Sequence, residues 1–189
     1  MTKKLKNTTR DAKRDRAGRV SRAKRTGFTL VEMLVVLVII AVLIAAVMGA
    51  LKSARQMAWR TKARDTARQL VAAWNLHLID YREFPKQSAL RDPVTGGFAA
   101  SSANLEKLNA DKKIYLELSE NERQDGLRDK WKRHFGFNLD FDYNGEIDNP
   151  APEVYESKAK DYKVVRATAI AWSEGPDPKL KRKWIVQWQ

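Results

Sequence analysis

Between Phe28 and Leu51 the chain reads FTLVEMLVVLVIIAVLIAAVMGAL, apolar at nearly every position. About 20 apolar residues cross a bilayer as a helix, so this run predicts a membrane span. In a chain of 189 residues it leaves room for one modest domain besides it. What precedes the run is its opposite. Residues 1–27 carry eleven Lys or Arg against Asp11 and Asp15, a balance of +9 within a whole-chain +13, leaving +4 for residues 28–189. This basic segment has no apolar periodicity and predicts disorder or weak helicity. Cations at one flank hold that flank in the cytoplasm, so the rest of the chain is expected outside. A cleaved secretory signal fits poorly, because the run is too long and no small-x-small site closes it.

The helix is expected to continue past the membrane. From Lys52 to Glu83 there is neither proline nor glycine, and Ala63, Ala67, Leu70, Val71, Trp74, Leu78 and Tyr81 recur in steps of three and four. Arg60, Lys62, Arg64, Asp65 and Arg68 supply the wet face. Pro85 stops the helix. At 1.5 Å per residue, a helix from Phe28 to Glu83 is roughly 80 Å long. Gly49, where the two halves meet, reads as a tolerated membrane-helix glycine or as a hinge.

Beyond residue 85 the pattern changes. Pro93 to Gly97 predicts a turn or loop. Ser101 to Lys107 predicts a short helix with Ser102 as N-cap and Leu105 and Leu108 inward. Ile114 to Leu116 reads as a strand or an extended segment. Period-two alternation from Trp131 to Phe141 predicts a strand, as it does from Tyr162 to Trp172, and Trp184 to Trp188 predicts a short final strand. The expected fold class is therefore α+β: a long N-terminal helix packed on a small antiparallel sheet. The organisation is 1–27 basic leader, 28–51 membrane half of the helix, 52–84 amphipathic half, and 85–189 globular domain. With no cysteine, the body has neither a disulfide nor a thiolate site.

Glu32 is the one carboxylate in the apolar run. A charge in a bilayer costs several kcal/mol, less near an interface, so it needs a partner or a place to snorkel. If the chain is cut after Gly27, Phe28 gains a free amine one helical turn from Glu32. The carboxylate can then meet its own amine or that of a neighbouring subunit, a pairing worth more in lipid than in water. Glycine before the cut gives a peptidase access to the backbone.

The stretch Gly27-Phe28-Thr29-Leu30-Val31-Glu32-Met33 resembles the signal of type IV pilins and type II secretion pseudopilins. The resemblance implies that a prepilin peptidase cuts after Gly27 and methylates Phe28. It implies that Glu32, with Thr29 beside it, serves filament assembly. The implied partners are the peptidase, copies of the chain and other pseudopilins, an inner-membrane assembly platform and the lipid bilayer. The implied location is the bacterial inner membrane, a single pass with the N-terminus cytoplasmic and the C-terminal domain periplasmic. Weaker likeness extends to Asp129-Lys130-Trp131 and to Ala171–Asp177, both similar to segments of major pseudopilins. Where those proteins place acidic calcium ligands after the second segment, this chain has Lys179-Leu180-Lys181-Arg182-Lys183.

A separate acidic cluster offers oxygens at Asp140, Asp142, Asn144, Glu146 and Asp148, with Gly145 at the sixth position. That spacing resembles the start of an EF-hand loop and predicts a low-affinity Ca2+ site. Tyr143-Asn144-Gly145-Glu146 equally predicts a type I′ hairpin turn. No phosphate loop or nucleophile motif is visible, and His77 and His134 are too isolated in sequence to suggest a metal pair, so no enzyme is expected. The leading reading is a pseudopilus or pilus-like filament subunit acting in type II protein secretion. The alternatives are a DNA-uptake or adhesion pilin, and a non-assembling, membrane-anchored calcium-binding protein. The body's +4 and its Lys179 to Lys183 cluster offer nucleic acid only weak attraction.

Overall fold

The computed structural model describes residues 27–110, 113–155 and 162–188. Residues 1–26 of the basic leader lie outside them. The chain divides into two units, residues 1–46 and 47–189. The first contributes the beginning of helix α1 (Leu30–Tyr81), which runs without a break through Gly49. Through Leu51 every residue of α1 is exposed, so this stretch has no core of its own.

In the second unit α1 becomes one-sided. Ala63, Ala67, Leu70, Ala73, Trp74 and His77 are buried, while Val71, Leu78 and Tyr81 are half-buried. The helix closes at Tyr81, two residues short of the expectation. Arg82 takes a left-handed φ of 62° and its N–H reaches the Leu78 carbonyl at 2.8 Å. The chain then turns so that Phe84 enters the core, and Pro85 prevents any resumption.

The remaining elements are β1 (Pro93–Val94), β2 (Gly97–Ala99), α2 (Ser102–Leu108), α3 (Glu120–Asp125), β3 (Gly136–Leu139), β4 (Ile147–Asp148), β5 (Val164–Val165), β6 (Ala169–Ser173) and β7 (Ile185–Val186). Antiparallel pairing gives a sheet of order β1-β2-β3-β6-β7 and a separate β4-β5 pair. The α1 stripe packs on one face of the larger sheet, with Phe135, Phe137, Leu139, Ala169, Ala171 and Ile185. Ile170 and Trp172 point to the other face, joining Ile147, Trp184 and Val186. The fold is thus α+β, a long N-terminal helix on a small antiparallel sheet, as expected of a pilin-like chain.

Several local expectations change. Pro93–Gly97 is a tight hairpin, with Val94 paired to Gly97 and Gly96 at φ 83°. Ser101, not Ser102, is the N-cap residue of α2, and it makes no side-chain cap bond. The Trp131–Phe141 strand shrinks to Gly136–Leu139, because Asp129 gathers residues 129–133 into a turn. Gly136 is covered so closely by the Trp172 indole that a Cβ would come within 2.3 Å of it. The Tyr162–Trp172 strand breaks into β5 and β6, which belong to different sheets; Tyr162, Val164 and Thr168 are exposed, and β6 is buried on both faces. Ile114–Leu116 is not a strand: Asn109 holds its backbone by hydrogen bonds to Tyr115 and Leu116.

Candidate functional site

Thr29 lies just before α1, and its side chain closes the helix start. Its Oγ1 accepts the Glu32 N–H at 3.2 Å. In return Glu32 Oε2 accepts the Thr29 N–H at 2.8 Å and the Thr29 hydroxyl at 2.8 Å. This is a capping box, in which two N–H groups that the helix cannot satisfy itself are satisfied reciprocally. In an apolar environment no water replaces them. Both bonds to Glu32 fall on Oε2, and among the described residues Oε1 accepts none. The Thr-x-x-Glu spacing before an apolar run is the sequence signal of such a box. The sequence reading named Thr29 and Glu32 for assembly and overlooked their bond to each other.

Gly27 and Phe28 precede the cap, and Phe28 is 69% exposed. Among the described residues, a Cβ built on Gly27 would meet nothing within 4 Å. The apolar residues that follow are also uncovered, from Leu30 at 81% to Leu51 at 44% exposed. By length and composition α1 can cross a membrane.

In the second unit the two weaker likeness segments meet. The Ser173 hydroxyl donates to buried Asp129 Oδ2 at 2.7 Å across 44 residues of sequence. Asp129 Oδ1 accepts the N–H groups of Trp131 and Arg133 at 2.8 and 3.0 Å. Ser173 Oγ also accepts the Gly175 N–H at 3.0 Å, and Arg133 Nη1 donates to the Gly175 carbonyl at 3.0 Å. Beside this knot, burial raises the Glu174 carboxyl above its ordinary value; Arg133 opposes that and Asp129 adds to it. Lys181–Lys183 forms a 3-10 turn, with Lys181 Nζ 5.8 Å from the Trp184 ring centre.

Asp140, Asp142, Asn144, Glu146 and Asp148 line one open recess. Their oxygens are partly occupied by the loop. Asp140 accepts the N–H groups of Asn144 and Gly145 at 3.2 and 2.8 Å. Asp142 accepts the Asn144 amide at 2.7 Å, and Asn144 accepts the Glu146 N–H at 2.7 Å. Glu146 lies 3.5 Å from Arg166. Among the described residues no group of three or more His, Cys, Asp or Glu is placed to hold a metal ion. The type I′ hairpin does not form. Positive φ falls on Tyr143 and Gly145, not on Asn144, and β4 pairs with β5 rather than back onto β3.

The two histidines lie apart. His77 is buried against Trp74, Tyr81 and Tyr115, and His134 Nε2 contacts the Asp125 carbonyl at 2.7 Å. Asp80 accepts the Tyr115 hydroxyl at 2.7 Å and Lys113 at 3.0 Å. Those bonds, Tyr115 first, hold its carboxyl below the ordinary value. Burial pushes the Tyr115 hydroxyl well up, and the bond to Asp80 adds to that.

Searches of curated proteins and of solved structures give no match. Residues 22–48 match the family described as the prokaryotic N-terminal methylation motif. That segment contains Gly27, Phe28, the capping box and most of the exposed apolar run, and its match supports a type IV pilin-like protein.

Proposed function

We propose that this chain is a structural, non-catalytic subunit of a pilin-type filament acting in type II protein secretion. The carrying observation is the apolar start of α1, uncovered along its length and headed by a capped carboxylate, inside the methylation motif. Prepilin peptidase cuts between Gly27 and Phe28 and methylates the new amine. The apolar helix holds the subunit in the inner membrane until neighbouring subunits replace the lipid around it. Glu32 pairs with the Phe28 amine of a neighbour. The open space around Gly27 supports a role read by another protein rather than by the fold. The secretion assignment is supported by the likeness of Asp129–Trp131 and Ala171–Asp177, which the fold joins through Ser173 and Asp129. An adhesion or DNA-uptake pilin is the alternative, and salt-dependent DNA binding by the assembled subunit would favour the latter.

The test is an N-terminal mass measurement on the protein from cells with and without prepilin peptidase. The expected mature species begins at Phe28 and carries one methyl group. Phe28 still joined to Gly27 in peptidase-active cells overturns the reading. Glu32→Ala is expected to be processed normally and to fail in filament assembly.

A second reading, a membrane-anchored calcium-binding protein, rests on the convergence of Asp140 to Asp148 on one recess. Binding there requires the loop to release the N–H groups its oxygens now accept. Calorimetric titration of the full chain with calcium decides it: heat abolished by Asp142→Asn supports the site, and no heat at millimolar calcium removes it.

A further inference from the structure

A second group of cations follows the apolar run. Between Lys52 and Ile79, α1 carries Lys52, Arg55, Arg60, Lys62, Arg64 and Arg68 against the single acid Asp65. Lys52, Arg55, Arg60 and Lys62 are all exposed, and neither described ion pair involves them. Apolar side chains of the same stretch are exposed too, Met57 at 69% and Trp59 at 39%. Trp59 meets Trp131 edge to face, ring centres 6.2 Å apart. Trp131 stands between exposed Lys130 and Lys132, on the turn that buried Asp129 fastens to Ser173. Trp59, Lys62, Arg128 and Lys130 line one small recess, together with Glu122.

We propose that Lys52, Arg55, Arg60 and Lys62, with Trp59 among them, form a collar that binds the headgroups of anionic phospholipids where α1 leaves the bilayer. Lys130 and Lys132 extend it from the globular side. This rests on the reading of Phe28–Leu51 as a membrane span. The run ends at Leu51 and the first cation follows immediately. At 1.5 Å per residue, Lys52 to Lys62 rise over about 15 Å. The headgroup layer is about 5–7 Å deep on each side, and its potential decays over a further 8–10 Å, so the whole stretch lies within reach. Tryptophan and long basic side chains are the residues that settle at this interface. Each cation near an anionic surface strengthens binding about five-fold. Nucleic acid as the partner would leave Met57 and Trp59 in water.

The test uses the full chain in phosphatidylcholine vesicles containing either brominated phosphatidylglycerol or brominated phosphatidylcholine, with tryptophan quenching as the readout. No tryptophan lies in residues 1–27, so the leader does not contribute signal. The brominated anionic lipid is expected to quench several-fold more strongly at equal mole fraction. That preference falls towards one in Lys52→Gln/Arg55→Gln/Arg60→Gln, and also for the unmodified chain in 1 M salt, where the Debye length is about 3 Å. Trp59→Phe removes most of the lipid-dependent quenching. Equal quenching by the two lipids overturns the collar, as does a preference that survives the triple substitution. So does a triple variant that loses binding to a DNA oligonucleotide while keeping its lipid preference. Release of the chain by alkaline carbonate is a different failure, that of the membrane span itself.

Discussion

The stretch Leu30–Ala46 and the unit from Val47 onward use the same apolar residue types in opposite ways. In the first, valine, leucine and isoleucine point outward all around the helix, and among the described residues they stay exposed. In the second, the helix narrows its apolar surface to a stripe and a two-faced sheet buries it. Burial against the chain's own sheet stabilises a fold at about 25 cal/mol per Å² removed from water. Exposed apolar surface stores that same driving force for lipid or for other chains. One region is therefore completed by folding and the other only by association, and substitutions in the two should report on different events.

The most severe way to break this contrast is in the core. Trp172→Ala is expected to cost about 3–5 kcal/mol in chemical denaturation of the full chain in detergent, whereas Ile40→Ala shifts the same transition by less than about 0.5 kcal/mol. Equal shifts would mean that the first region is folded against something after all. Glycine sharpens the comparison at somewhat smaller scale. Gly136→Ala drives a methyl into the Trp172 ring and is expected to destabilise by about 1–3 kcal/mol. Gly27→Ala has open space and should leave denaturation unchanged while slowing removal of the leader, read by gel mobility in cells with the peptidase.

The two capping boxes give a finer test. Ser119 and Glu122 close α3 just as Thr29 and Glu32 close α1. Ser119→Ala in water is expected to cost about 1 kcal/mol. Thr29→Ala should weaken the helical Cα chemical shifts of Leu30 to Met33 in micelles more than Ser119→Ala weakens those of α3 in water, because detergent offers no replacement acceptor. The smallest effect is electrostatic. Asp80 sits below its ordinary value of 3.8 when folded. Its contribution is therefore present above about pH 4 and lost as pH falls through the depressed folded value. Asp80→Asn should narrow the gap in denaturation midpoint between pH 6 and pH 3; an unchanged gap would show that the Tyr115 and Lys113 contacts do not persist in solution.

Sequence pattern reached furthest where one period ran long. The apolar run and the three-and-four stripe through Ala63, Ala67, Leu70 and Trp74 are local signals, and they locate the helix and its core face directly. The sheet was legible in outline only. Phe135, Phe137 and Leu139 alternate as a strand should, but strand ends are set by distant contacts, such as the hold of Asp129 on the Trp131 and Arg133 amides. Residues 162–172 look like one strand because alternation cannot reveal a change of sheet. Buried polar residues were the least visible. Asn104, fully buried, bonds the backbone of Arg91 and Ala99, and its sequence neighbourhood resembles any helical surface. In the candidate site, Glu32 stands out in sequence as the one carboxylate in the apolar run, and the structure places it in the cap of α1. The Thr29 cap has the Thr-x-x-Glu spacing of a capping box, a signal as local as the run itself.

That cap changes the thermodynamic character of any later encounter. A carboxylate waiting in lipid without a partner would bind the first cation to arrive and hold it almost irreversibly. Glu32 already has a partner inside its own chain. A newcomer that draws the whole carboxylate away must leave the Thr29 amide behind without an acceptor, so the gain is the difference between two bonded states. Exchange of that kind runs in both directions, and a subunit held this way can be handed on as well as captured.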